Sequence, residues 1–512
     1  MSFSVDKNKI ARNTFALYIR LGITTVISFF TVRVTLEQLG VDDYGLNNLV
    51  ASIVSMLSFL NGSMGTAVQR FYSIEIGKKN ESELSKIFGV GLSLHLIVAL
   101  VTFILAECFA IFFLHKMNIP IERLWAAKIV FQLSIFSFLV TIINVPYAAM
   151  LRAREKFTQT AIADIAQAFL RLGVLYLLII IDADKLVTLG FLNFGVTLIY
   201  ISFLTKLAWQ FQETHILPSW DSALIKKMLN FISMLVLTVL AQLAKVQGIV
   251  FLINIFFGLA VNAAYAIAVQ VSHLITHFAA SFKQSMVPQL MASYGAGDLK
   301  TMSKIVNMGT KVTFLLMLLM TLPLIFEAQF ILGVWLKEPP QYAVELVVLT
   351  LIYINISSFT YFQYQGVHAT GAITRQQIWI SLSYALNIVL IFISFKFGGS
   401  FYSAIYINMF ISAVQCAINL YYARINFGYD ISYFLKGILF PSLSLLFIVL
   451  PILLLISFNM NESLVRFVSV LLVSTTLVSV LGYKILLNHD ERVKCIHLIE
   501  STFRRKRVRS MD

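Results

Sequence analysis

Charge is scarce in this 512-residue chain: Asp, Glu, Lys and Arg make up 12% of it, while 59% is hydrophobic and the mean hydropathy is +0.83. A water-soluble domain carries about 25% charged residues, so a soluble enzyme or a free nucleic-acid-binding domain is excluded and a polytopic membrane protein is implied. Acidic residues are the scarcer sign, 25 against 39 Lys and Arg, for a net charge of +14. A nucleic-acid surface would gather those cations on one soluble face; here they are parcelled out between apolar runs and report membrane topology instead. The three cysteines, Cys108, Cys416 and Cys495, show neither CxxC nor metal-ligand spacing, which argues against a disulfide framework and a zinc site. A phosphate-binding loop is missing: GTKVT at Gly309 to Thr313 lacks both the adjacent Gly-Lys and the earlier Gly, so no ATP-driven step is supported. No secretory signal is visible, because the first apolar run is too long and no small-residue cleavage site follows it. The longest polar stretch, Gln210 to Lys227, is too short for a domain. Enzymatic activity, catalytic residues and a cofactor are therefore not expected.

What the chain has in abundance is apolar segments long enough to cross a hydrocarbon core of about 30 Å. The first lies within Ile10 to Gly40, its apolar residues running from Phe15 to Leu36 with Arg12 before them and Glu37, Asp42 and Asp43 after. Fourteen such segments are expected, all helical. Six fill an N-terminal lobe, 1–209; a connector, 210–227, leads to a second six-helix lobe, 228–424. Two more helices lie in 425–487, before a basic tail, 488–512, that ends RRKRVRS at Arg504 to Ser510. With the N-terminus inside, one side of the membrane holds most of the Lys and Arg. The other holds only Arg33, Lys116, Arg123, Lys128, Lys185, Lys337, Lys396 and Arg466. Cytoplasmic loops are the cation-rich ones, so both termini are expected in the cytoplasm.

An internal repeat underlies the two lobes. Shifting the chain by 218 positions brings Gly40 onto Gly258 and Gly77 onto Gly295; Ser85, Lys86 and Ile87 meet Ser303, Lys304 and Ile305, and Gln159 meets Gln377. Six helices separate the copies. The lobes are thus expected to share one orientation, related by an axis along the membrane normal, with a central site between them.

Three stretches carry a family resemblance: LEQLGVDDYGLNNL at Leu36 to Leu49, FYSIEIGKKNESELSKIF at Phe71 to Phe88, and LRAREKF at Leu151 to Phe157. With these the chain resembles the polysaccharide flippases of the multidrug, oligosaccharidyl-lipid and polysaccharide exporter superfamily, and two sixes plus two is that superfamily's organisation. The resemblance implies a bacterial inner-membrane transporter that moves undecaprenyl-diphosphate-linked oligosaccharide units, such as O-antigen units, from the inner to the outer leaflet by alternating access. The implied partners are that glycan, membrane lipids, a proton or sodium counter-ion, and a polysaccharide polymerase with its chain-length machinery.

Such a cargo calls for buried cations to meet the diphosphate and for polar and aromatic side chains to meet the sugars. Three cations fall deep within apolar segments: Arg20, roughly 12 Å in at 1.5 Å per residue, Arg171 and Lys245. Intramembrane charges of this kind mark functional sites, and guanidinium groups bind phosphate oxygens bidentately. A structural alternative exists for Arg171, because Asp164, Gln167 and Arg171 share one helical face and could form a local network. Two polar stripes suit a cavity wall. One is Asn262, Gln270, His273, His277 and Gln284; the other is Tyr353, Ser357, Tyr361, Tyr364 and His368. A weaker one, Asn48, Ser52, Ser55 and Gly62, reads rather as helix packing. His273 and His277 sit at i, i+4, but no third ligand accompanies them, so a metal is not expected. Glu107 and Glu327 are expected at the membrane interface. Two rivals share the fold. An ion-coupled multidrug antiporter would need a deep carboxylate, for which Asp164 is the candidate, and a lipid II flippase would share the cationic cavity. A polymerase, ligase or scaffold is disfavoured by the short outer loops.

Overall fold

The computed structural model describes residues 7–55, 58–113, 121–181, 183–215, 218–336, 339–488 and 491–492. In lipid an apolar run satisfies its backbone by bonding every N–H and C=O within the segment, and the described residues are accordingly helical nearly throughout. The first six helices are α1 (Lys7–Ser55), α2 (Ser58–Lys78), α3 (Glu81–Phe113), α4 (Leu124–Ala153), α5 (Phe157–Leu177) and α6 (Lys185–Ala208). Next come α7 (Ser222–Gly295), α8 (Leu299–Phe326), α9 (Ala328–Leu336), α10 (Ala343–Ser358), α11 (Tyr361–Thr370), α12 (Thr374–Lys396) and α13 (Ser403–Phe427). The short α14 (Ile431–Phe434) passes through a wider turn into α15 (Phe440–Asn459), and α16 (Leu464–Leu481) follows. Several starts are fixed by capping side chains: Asp184 accepts from the N–H of Val187, Asp221 from Leu224 and Ser463 from Arg466.

Among the described residues twelve stretches, from Glu81–Cys108 to Leu464–Leu486, are long and apolar enough to cross a membrane. They coincide with the third to fourteenth expected segments. The chain before them is helical as α1 and α2, so the count of fourteen stands two above the established twelve. The chain is an all-α, multi-pass membrane protein. The basic tail beyond Arg492, with Cys495, lies outside the described residues, as do the side chains of Asn48, Ser52 and Ser55.

The repeat reappears in the backbone. Both α1 and α7 are broken at a glycine, Gly40 at φ 75°, ψ 174° and Gly258 at φ 80°, ψ −173°. That region of conformational space is open to glycine alone, and the two positions are the pair matched by the 218-residue shift. Alanine at either site should cost about 1–3 kcal/mol. Thermal unfolding in detergent should show it as a lowered midpoint. Gly195→Ala in α6, where a Cβ meets nothing within 4 Å and φ is ordinary, should be neutral or mildly stabilising.

The chain divides into two compact units, Met1–Val239 with Val287–Asp298, and Leu240–Met286 with Leu299–Asp512. These limits differ from the lobes expected at residues 209 and 228. The start of α7 stays with the first unit because Phe231 packs edge-on to Phe71, ring centres 6.3 Å apart, with the Arg70 guanidinium 4.9 Å from the Phe231 ring. The first unit is built around Val130, Phe131, Ile135, Leu186 and Leu189. The second is built around Ile253, Ala264, Ala268, Leu346 and Ile391.

Two charges of the second unit are buried within the protein. Lys311 lies inside α8 with none of its side chain in solvent, bonded to Glu491 (2.9 Å) and to the Tyr433 hydroxyl (3.2 Å). Glu327, expected at the interface, is also fully buried: it follows the α8 break and receives three hydrogen bonds of 2.9–3.2 Å from Arg466 at the start of α16. An unpaired carboxylate cannot be held there, so a guanidinium 139 residues away in sequence is brought to it. Its near-equivalent in the repeat, Glu107, instead accepts from Gln132 at 2.8 Å. In the first unit Arg123 donates to Asp43 (2.6 Å) and to Asp184, tying the chain just past the Gly40 break to the start of α6.

Candidate functional site

Each unit carries a polar cluster among its helices. In the first, Arg20 on α1 donates to Asp164 Oδ2 on α5 at 2.8 Å, and the Tyr200 hydroxyl on α6 donates to Asp164 Oδ1 at 2.7 Å. Arg152 near the end of α4 donates to Gln69 on α2 at 3.1 Å and acts electrostatically on Asp164 and Tyr200. The cluster is not sealed off within the protein: the side chains of Arg20 and Asp164 keep 27% and 22% of their surface. The local Asp164–Gln167–Arg171 network expected from helical spacing is not formed. Seven residues of helix separate Asp164 and Arg171 by about 10 Å of rise, and both carboxylate oxygens are already taken by α1 and α6. Arg171 is exposed, and among the described residues it has no ion pair.

The second unit assembles a row of phenols between two ammonium groups. Lys245 on α7, 6% exposed, donates to the Tyr353 hydroxyl at 3.2 Å and lies 5.2 and 5.8 Å from the ring centres of Tyr353 and Tyr384. Tyr384 on α12 shares the Lys245 ammonium with Tyr353, and Tyr361 and Tyr364 stand one turn apart on α11. At the other end the Lys283 ammonium sits 4.8 Å from the Tyr361 ring centre. Gln377 braces the row by donating to Tyr364 at 3.0 Å and bonding the His368 ring at 2.6 Å. Among the described residues neither lysine has a carboxylate partner. Cation–π contacts hold such ammonium groups without neutralising them, and each tyrosine offers a flat apolar face with a hydrogen-bonding tip.

Of the expected stripe residues, Gln270, His273 and His277 are exposed on α7, Asn262 and Gln284 are half-buried, and Val261, Ala264, Ala268 and Ile275 form the packed opposite face. The second stripe splits between α10 and α11. Tyr353, Ser357, Tyr361 and Tyr364 keep part of their surface, whereas His368 is buried against Gln377. Reasoning from sequence missed Arg152, Tyr200, Lys283 and Tyr384. Arg152 and Lys283 stand close to basic loops in the sequence, but α4 runs on to Ala153 and α7 to Gly295. The offered signal for Tyr384 is its spacing of seven, two helical turns, from Gln377 on α12.

These helices and their order can be compared with solved structures. A MATE crystallised in the bent conformation superposes with a TM-score of 0.71 at 13% identity, covering 82% of this chain and 96% of that one. The fold is that of the MATE transporters. An outward-facing multidrug resistance MATE family transporter of the MOP superfamily gives a TM-score of 0.67 at 12% identity, covering 81% of this chain and 95% of that one. A MOP superfamily transporter from Pyrococcus furiosus, described by a binding pocket of reverse polarity that suggests a different function, gives 0.69 at 12% identity, with the same coverages. At the level of sequence, the MatE family model matches residues 21–177, a stretch that holds Arg152, Asp164 and Arg171 and begins just after Arg20. No curated protein matches the chain.

Proposed function

We propose that this chain is an alternating-access membrane transporter of the MOP superfamily whose cargo carries negative charge, the best-fitting cargo being an undecaprenyl-diphosphate-linked oligosaccharide moved from the inner to the outer leaflet. The observation that carries the charge assignment is the phenol row of the second unit, capped by Lys245 and Lys283 with no carboxylate to neutralise them. The exposed face bearing Gln270, His273 and His277 supports it, because such a face is costly against acyl chains and is served by water or a polar cargo. In the first unit Asp164 is outnumbered by Arg20, Arg152 and Arg171. That the MATE fold includes a protein described by a binding pocket of reverse polarity makes pockets of differing polarity compatible with the architecture.

A second reading, ion-coupled export of cationic drugs, is favoured by the likeness to a multidrug resistance transporter and by the presence of Asp164. Reconstituted vesicles separate the two. With a lipid-linked diphosphate oligosaccharide as cargo, Lys245→Gln and Lys283→Gln should each slow translocation about tenfold or more, the worth of a charge-assisted hydrogen bond. Efflux of a cationic dye driven by a proton or sodium gradient, abolished by Asp164→Asn and indifferent to both lysines, would overturn the anionic cargo.

A further inference from the structure

Helix α7 changes allegiance before it ends. Its stretch up to Met286 belongs to the second unit, and Val287–Asp298 belongs to the first. The change falls at Pro288, inside the helix, which lacks the N–H that would bond the carbonyl of Gln284 and so permits bending there. Beyond it the segment is fastened to the first unit in two ways. Gln289 donates to Glu155 at 3.1 Å, and Glu155, held at a left-handed φ of 56° between α4 and α5, is also bonded to Asn13 (3.4 Å) and paired with Lys9 (3.5 Å). The second fastening is a crossing of bare backbones. A Cβ at Gly77 on α2 would fall against the carbonyl of Ala292, 2.8 Å from its carbon; a Cβ at Gly295 would fall against the carbonyl of Ile74, again 2.8 Å from the carbon. The contact is its own mirror image, because the 218-residue shift carries Ile74 to Ala292 as well as Gly77 to Gly295. Lys78 and Lys79 follow one partner, Lys300 and Lys304 the other, which places the crossing on the cation-rich side.

We propose that Val287–Asp298 is a latch, engaged in this structure, hinged at Pro288 and released when the cation-rich side opens. The proposal rests on the transporter reading for its purpose, though not for its geometry. Only glycine permits the engaged state. Alanine at Gly77 or Gly295 would have to displace backbone rather than a flexible side chain, and it biases the chain toward release.

Two measurements test this in a chain whose Cys108, Cys416 and Cys495 have been replaced by serine. First, Ser293→Cys, buried in the engaged latch, reports opening through a membrane-impermeant maleimide applied to the cation-rich side. Labelling should rise about fivefold when Gly77→Ala or Gly295→Ala is added, a shift of about 1 kcal/mol. Gly91→Ala, whose Cβ meets only Val68 at 3.8 Å, should leave it unchanged. Second, Glu155→Cys with Gln289→Cys, joined by a short bifunctional methanethiosulfonate, should stop translocation of the lipid-linked glycan and recover it on reduction. Unchanged labelling in both glycine variants, or cross-linked protein working at the reduced protein's rate, overturns the latch even if alanine variants fold poorly. Labelling that responds in a protein that moves no cargo upholds the latch and overturns the transporter reading.

Discussion

Glu327→Ala should be the most destabilising single substitution in the second unit, costing about 3–5 kcal/mol. The carboxylate is fully buried and holds Arg466 in a fork of three hydrogen bonds. Removing it strands a guanidinium that is itself 8% exposed, and Glu462, 3.9 Å from Arg466 Nη2 with half of its side chain in solvent, is too far away and too wet to replace it. Arg466→Ala should cost a similar amount by the converse route, leaving a buried carboxylate. The pair itself is a different matter, since two desolvated charges offset much of their own attraction. Glu327→Leu with Arg466→Met should therefore recover most of the loss. Unfolding of the purified protein, followed by tryptophan fluorescence in detergent, gives all four midpoints. A single alanine variant within about 0.5 kcal/mol of the parent would show that the pair is solvated and unimportant.

Arg20 presents the second large effect, and here stability and transport are expected to part. Arg20→Ala and Asp164→Asn each break an ion pair that is about a quarter exposed, so the stability cost should fall between the surface and buried limits, about 1–3 kcal/mol. Transport should fall at least as far. Asp164→Ala placed on Arg20→Ala is decisive. If Arg20 only balances Asp164, the double variant regains both stability and translocation; if Arg20 receives the cargo's phosphates, stability returns and translocation does not. Arg171→Ala supplies the contrast, because that exposed side chain has no ion pair among the described residues. It should leave the midpoint within about 0.5 kcal/mol while slowing translocation. A double-mutant cycle over Arg20 and Asp164, measured by unfolding and by translocation on the same samples, reads the two coupling energies separately.

How far the sequence led can be judged residue by residue. Helices were legible wherever apolar runs are long, since the membrane leaves few other solutions, and the break at Gly40 and Gly258 was legible through the repeat. Arg20, Lys245 and the tyrosines at 353, 361 and 364 stood out because polar groups in apolar runs are rare. Partners were not legible. Helical spacing offered Arg171 to Asp164, whereas the fold delivered Arg20 from 144 residues away, a contact that no local periodicity encodes. Helix ends misled in the same way: Arg152, Lys283 and Lys311 lie near basic loops in sequence, but the helices extend past them and draw them inside. Glu327 could not be placed without knowing that α16 returns Arg466 to it.

The mirrored crossing of Gly77 and Gly295 has the form of an isologous interface, the kind two identical subunits make about a dyad, here made by one chain with itself. Gly77 sits on Ala292 and Gly295 on Ile74, one turn along the facing helix in each case, so the two positions report on a single clearance. Enlarging one already displaces the backbone that the other needs, and the energetic penalty of enlarging both should be smaller than the sum of the separate penalties. At this crossing the two copies of the repeat are not independent.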